Sequence, residues 1–269
     1  MTAMATTPAQ QTDIDLELSS VGKIFAGAHG DVEALAEISF AAKRGELISV
    51  LGPSGCGKTT ILRLIAGLDA PTSGTIRVQG RELGKDARPR TSGLGVVFQE
   101  ARLLPWFDIE ENVALPLRLR GVSRDPRLAK ARELLALVGL AGFERARPDQ
   151  LSGGMKQRAA IARALIVEPR LLLLDEPFGA LDAMTRDQMN VELQRIRTAM
   201  SCTALLITHS IAEAVFLGDR VLAMTPRPGR IAQVFDVSFP HPRDIDLQST
   251  VEFQGLVREL RRLMTGWHK

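Results

Sequence analysis

Two cysteines in 269 residues are too few for a disulfide framework and suit a reducing compartment. No apolar run approaches the roughly 18 residues that a membrane-crossing helix requires. The longest candidates, residues 134–143 and 171–174, fall far short. Residues 1–14 are rich in Thr, Ala and Gln and have neither a basic start nor an apolar centre, so they are expected to be a disordered tail and not a secretory signal. Charge of one sign is not concentrated either. The formal net charge of +3 comes from scattered Arg rather than a block, so composition leaves a nucleic-acid footprint open without arguing for one. No internal repeat is evident. What remains is a chain whose 45% hydrophobic content suffices for a substantial core in one large or two small domains.

Against these absences stands Gly52-Pro53-Ser54-Gly55-Cys56-Gly57-Lys58-Thr59-Thr60, which fits the phosphate-cradling pattern G-x-x-x-x-G-K-[ST] and follows an apolar run over 47–51. The glycines let successive backbone N–H groups face a polyphosphate, and the helix that follows adds its positive end. Lys58 is placed to reach the β/γ-phosphates and Thr59 to offer its hydroxyl to Mg²⁺. Cys56, inside the cradle, has two readings: a small packing residue, or a thiol made reactive by the helix end and protected by bound nucleotide.

The spacing predicts strands over 14–21, 34–40, 47–51, 75–78 and 95–98, and a helix over 58–66 ended by Gly67. From about 100 to 166 strand signal fades, and helical spacing over 127–138 and 155–167 predicts a helical insertion. Strand, helix and strand resume over 171–175, 183–200 and 203–208. That order predicts an α/β fold with a mostly parallel sheet, helices on its faces and ligands beyond its strands' carboxyl ends.

A second cluster follows four leucines, where Asp175 and Glu176 stand side by side before Pro177. Asp175 suits the shell of a Mg²⁺ ion, and Glu176, one step nearer solvent, suits a general base for an attacking water; the alternative is a plain helix cap or turn. A third cluster, Leu151-Ser152-Gly153-Gly154-Met155, precedes a helix and exposes free N–H groups to an anion. One chain already has one phosphate-binding helix end, so a second suggests that two copies each lend this end to the other's nucleotide.

Phosphate loop, Leu-Ser-Gly-Gly-Met, Leu-Leu-Leu-Leu-Asp-Glu-Pro, Gly179 to Asp182, and Thr208-His209, in this order, strongly resemble the ATPase subunit of ATP-binding cassette transporters. The likeness runs from about Leu16 to Val234. It implies a P-loop NTPase core with an N-terminal antiparallel β subdomain and the inserted helices, over residues 15–240, followed by a helical extension over 241–269. It also implies ATP and Mg²⁺ as cofactors.

Residue by residue, the resemblance implies that Phe25 stacks on adenine, an insertion at 26–31 accounting for its long spacing to Gly52; the alternative is a core Phe. Gln99 matches a glutamine that contacts Mg²⁺ and the attacking water and relays nucleotide state, against an ordinary strand end. Ser152, Gly153 and Gly154 match the signature that closes on the opposite subunit's γ-phosphate, with Met155 where many members have Gln. Asp182 matches an acid that crosses the dimer interface, and also suits the N-cap of the helix at Ala183. His209 matches the histidine that contacts the γ-phosphate and orients the water. Ser210 replaces the usual Asp, and with Glu213 still forms a capping box.

Within the family, the absence of fused spanning helices, of a long coiled coil between Lys58 and Ser152, and of a second cassette favours an importer subunit on the cytoplasmic face of the inner membrane. The segments around 97–106 and 175–183 look most like subunits for nitrate, sulfonate, taurine and related solutes. The partners implied are a second copy, two transmembrane permease subunits and, indirectly, a solute-binding protein, with no nucleic acid expected. The competing reading is a soluble ATPase switch acting on nucleic acid or a protein complex. Leu103-Leu104-Pro105-Trp106-Phe107 suggests either an exposed surface for the membrane partner or packing of the insertion onto the core.

Overall fold

The computed structural model describes residues 13–27, 30–83, 93–179, 181–200 and 202–267. The expected tail lies outside them except for its last two positions, of which Ile14 opens the first strand. Part of the expected insertion at 26–31, residues 28 and 29, also lies outside.

Long strands β1 (Ile14–Phe25) and β2 (Val32–Lys43) pair with β4 (Ser73–Val78) and β5 (Arg81–Glu82) in an antiparallel sheet ordered β2-β1-β4-β5. A second sheet contains β3 (Leu47–Leu51), β6 (Leu94–Val97), β7 (Leu171–Asp175), β8 (Thr203–Thr208), β9 (Arg220–Met224) and β10 (Ile231–Asp236). Its order is β10-β9-β3-β8-β7-β6, and only β10 runs antiparallel to its neighbour. The helices are α1 (Lys58–Ile65), α2 (Ile109–Leu119), α3 (Arg124–Leu137), α4 (Gly153–Leu165), α5 (Ala183–Met200), α6 (Ile211–Leu217) and α7 (Val251–Gly266).

The leucine run explains how one sheet serves two cores. β7 is buried along its whole length. Leu171 and Leu173 join Ile48, Val50, Leu205 and Ile207 against α1 and the antiparallel sheet. Leu172 and Leu174 join Leu47, Leu51 and Leu206 against the other helices. Alternation on a doubly covered parallel strand thus leaves no polar position until the strand ends at Asp175. Register does the rest: Leu51 is level with Thr208, and Asp175 with Ile207, so β3, β8 and β7 finish side by side.

The helical segment differs from expectation in one element. α2 carries Pro116 in its interior, the residue that obscures it in the sequence, because proline lacks the N–H of a helix position. It is nevertheless anchored by Asn112, fully buried, which accepts from Leu104 N–H at 2.7 Å and donates to the carbonyls of Leu104, Phe107 and Asp108. α3 and α4 begin slightly earlier than predicted, at Arg124 and Gly153. Strands β9 and β10, which the sequence reading did not contain, extend the sheet.

Beyond β10, α7 buries Phe253, Val257 and Leu260 in the same core as α6. Arg243 enters that core almost fully buried and donates to the carbonyls of Val215, Phe216 and Gly218 at 2.8–3.0 Å, closing the end of α6. Burial pushes its guanidinium down to about 10, still charged at neutral pH, with Asp219 opposing the shift.

Candidate active site

A cleft of about 410 Å³ opens at the carboxyl ends of the parallel strands. Of the residues singled out from the sequence, Ser54, Gly55, Gly57, Lys58, Thr59, Thr60, Phe25 and Glu176 line it. Gly57 caps α1 with φ of 102°, a left-handed conformation, and a Cβ there would meet Leu35 Cδ2 at 2.5 Å, so only glycine fits. Lys58 is nearly buried, and its ammonium donates to the carbonyls of Gly52 and Pro53 at 2.8 and 3.0 Å, which holds it beneath the loop.

Cys56 corrects an expectation. Its side chain is 1% exposed, lies in the core beneath the loop and does not line the cleft. Burial pushes the thiol pKa up, and the nearby Lys58 only partly opposes this. The packing reading therefore holds, and the reactive thiol protected by nucleotide is withdrawn.

Phe25 stands at the end of β1, 40% exposed, which removes the core alternative. The Lys23 ammonium lies 4.9 Å from its ring centroid, a cation over the π face. With Val32 and Ala34 it gives the cleft an apolar wall beside its phosphate loop.

Thr59 donates to Asp175 across 3.4 Å, so hydroxyl and carboxylate converge where β3 and β7 end. Burial, and next the Glu176 charge, push the Asp175 carboxyl up, against the hydrogen bond from Thr59. A divalent cation would relieve both effects, and one hydroxyl plus one carboxylate, leaving positions for phosphate and water, fit Mg²⁺. Glu176 has φ of 43°, an uncommon conformation for a residue with a side chain. Its N–H continues the sheet ladder to Ile207 at 2.8 Å while its side chain turns into the cleft.

His209, just beyond β8 and more than half exposed, brings Nδ1 to 3.0 Å from Glu176 Oε2. An Nδ1–H donated to the carboxylate orients both groups. Ser210 caps α6 by accepting from Glu213 N–H at 3.3 Å, so the cap is present but only half of the expected box. The Glu213 carboxylate instead accepts from the Thr208 hydroxyl, buried below the histidine, where burial raises its pKa.

The remaining predicted residues lie off the cleft. Gln99 is exposed just beyond β6. Its segment is held by α4: Gln157 donates to Phe98 O at 3.1 Å, and Arg163 to Ala101 O and Arg102 O at 2.6 and 2.8 Å. Ser152 caps α4 by accepting from Met155 N–H, and Ser152 and Gly153 face solvent with Gly154 behind them against Thr185. Asp182 caps α5, accepting the N–H and the hydroxyl of Thr185 at 3.0 and 2.7 Å, and those bonds lower its pKa. Trp106 is 63% exposed, which removes the packing alternative for it. Sequence reasoning missed Arg227, which lines the cleft from the turn between β9 and β10. Only the three-dimensional approach of that turn identifies it.

A family model described as ABC transporter matches residues 35–179. A taurine import ATP-binding protein of Burkholderia pseudomallei is 47% identical over 81% of this chain and 83% of its own length. A nitrate import ATP-binding protein of Synechocystis is 45% identical over 84% of this chain and 83% of its own. Among solved structures, a dimeric ATP-binding cassette in a post-hydrolysis state bound to ADP and Pi superposes with a TM-score of 0.74 at 33% identity, covering 84% of this chain and 100% of that one.

Proposed function

This chain belongs to the ABC transporter family, and from that premise we propose that it is the ATP-hydrolysing subunit of an importer for a small anionic or zwitterionic solute of the taurine, sulfonate or nitrate kind. It acts as a homodimer with membrane permease subunits, peripheral to the membrane, on the cytoplasmic face. No helix among its described residues is long and apolar enough to cross a bilayer.

One observation carries the reading: Glu176 lines the same cleft as Lys58 and Thr59 and lies 3.0 Å from His209. Lys58 and the loop N–H groups bind the phosphates, and Phe25 receives the base on its open face. Thr59 and Asp175 would hold Mg²⁺, with Gln99 joining them only if its segment moved toward the cleft, and the ion would supply positive charge against the phosphate oxygens. Glu176 takes the proton of the attacking water, and His209, when it carries both ring protons, holds Glu176 through Nδ1–H and keeps Nε2–H for a phosphate oxygen. Ser152, Gly153 and Gly154 offer the start of α4, whose first N–H groups have no helix carbonyl to meet, to the nucleotide of the second copy. Asp182, exposed at the start of α5, faces the same dimer seam.

Uptake tests this. Reconstituted in proteoliposomes with its permease pair and solute-binding protein, the chain should hydrolyse ATP in step with accumulation of taurine, an alkyl sulfonate or nitrate. Hydrolysis that is indifferent to the permease and stimulated by nucleic acid would overturn the importer in favour of a soluble switch.

A further inference from the structure

Among the described residues lining the cleft, the cations are two, Lys58 and Arg227. Lys58 is already held by two carbonyls of the loop. Arg227 is exposed, and it reaches the outer side of the loop, where Nε and Nη2 both donate to Gly55 O at 3.3 and 3.2 Å. A guanidinium has five N–H donors in a rigid fork, so three remain for an anion.

The turn that carries Arg227 is fixed in place. Thr225 Oγ1 donates to Pro228 O at 3.2 Å and accepts from Arg230 N–H at 3.0 Å. Gly229 pairs with β2, its N–H on Ala34 O and its carbonyl on Ala36 N–H, both at 3.0 Å. A Cβ on Gly229 would lie 2.1 Å from Cys56 O, so this turn packs directly on the phosphate loop and admits no side chain there. The arginine is therefore presented by a rigid support, not by a free loop.

We propose that Arg227 is a second phosphate-binding cation of the nucleotide cleft, holding Gly55 O with one edge of its guanidinium and donating to the nucleotide's phosphate chain with the other. This rests on the reading of the cleft as an ATP site. It adds to that reading a contact from the β9–β10 turn, which lies outside the loop motif. A contact with the phosphates that ATP and ADP share makes Arg227 contribute to ground-state and transition-state binding alike.

Calorimetric titration with MgATP and with MgADP tests it in the full chain. A charge-assisted contact to phosphate predicts that Arg227→Gln weakens both by about tenfold, and that affinity then depends less steeply on salt. Arg227→Lys should recover part of the loss, and KM should rise with kcat unchanged. Affinities within twofold of the parent for Arg227→Gln would overturn the proposal. So would a loss that comes with a large fall in the melting temperature of the nucleotide-free protein and an unchanged salt dependence, since that outcome makes Arg227 a brace for the loop only. A parent chain that binds neither nucleotide would overturn the ATP-site reading itself and the Arg227 contact with it.

Discussion

At the amino ends of the parallel strands, the Asp219 carboxylate accepts from Leu47 N–H at 2.7 Å and from Arg197 at 2.9 Å, and meets His241 at 2.6 Å. At the carboxyl ends, Glu176 meets a single imidazole at 3.0 Å and otherwise faces the cleft. Both are acids beside a histidine on the same sheet. The first has its hydrogen-bonding capacity filled by the protein and holds the fold together. The second has capacity left over and sits on a strained backbone. On the proposed reading, chemistry belongs to the acid that faces the cleft with its partners incomplete.

The largest effect that sharpens this contrast is on rate. Glu176→Gln keeps shape and removes the base, so turnover should fall by about 10²–10⁴ while ATP binding and the melting temperature stay close to the parent's. The variant should also trap two chains around uncleaved ATP, visible by size-exclusion chromatography. Hydrolysis within threefold of the parent would remove Glu176 as the base.

The reciprocal variant should touch stability only. Asp219→Ala leaves the nearly buried guanidinium groups of Arg197 and Arg243 without their counter-charge, a loss on the order of 3–5 kcal/mol in urea unfolding. Nucleotide affinity of the folded fraction at low temperature should not change. The parent's pH dependence has a definite sign. Burial pushes the Asp219 carboxyl up, but the His241 bond, the Leu47 N–H and Arg197 outweigh it and hold the carboxyl well below its ordinary 3.8. The folded state thus binds that proton more weakly than the unfolded one. The contribution is complete above the ordinary Asp value and is lost as pH falls below it, which acid titration followed by circular dichroism would register.

Away from either end, Trp106 tests whether incomplete partnering also marks contact surfaces. An interface anchor predicts that Trp106→Ala weakens assembly with the permease by tenfold or more, while stability moves by no more than about 0.5 kcal/mol. Pull-down and thermal melting read the two separately, and intact assembly with a large loss of stability would remove Trp106 from that surface. The smallest effect is expected at Phe25→Ala, about two- to tenfold in ATP affinity, from loss of an aromatic stack; unchanged affinity for ATP would show that the base does not rest on this ring.

What was legible in the sequence was contiguous. The phosphate loop, Asp175-Glu176 and Ser152-Gly153-Gly154 each stand at a strand or helix end within a few residues, so spacing alone places them. Arg227 and Arg163 act on partners far along the chain, and no local pattern announces them. Pro116 hid α2, and β10 escaped because it is an edge strand with mostly exposed side chains. Glu213 had the correct spacing for a reciprocal cap, yet its carboxylate found a nearer donor in Thr208, a choice that only the packed structure decides.

Arg243 closes the helix that begins beside His209, and this bears on the order in which a growing chain becomes competent. A helix of seven residues does not hold its shape by itself. During synthesis the phosphate loop and its strand emerge early, and the acids of β7 follow. Yet β3, which feeds that loop, has only β8 and β9 as neighbours, so the grip on phosphate waits for residue 224 and the closing of α6 for residue 243, and a nascent chain acquires both near the end of its synthesis.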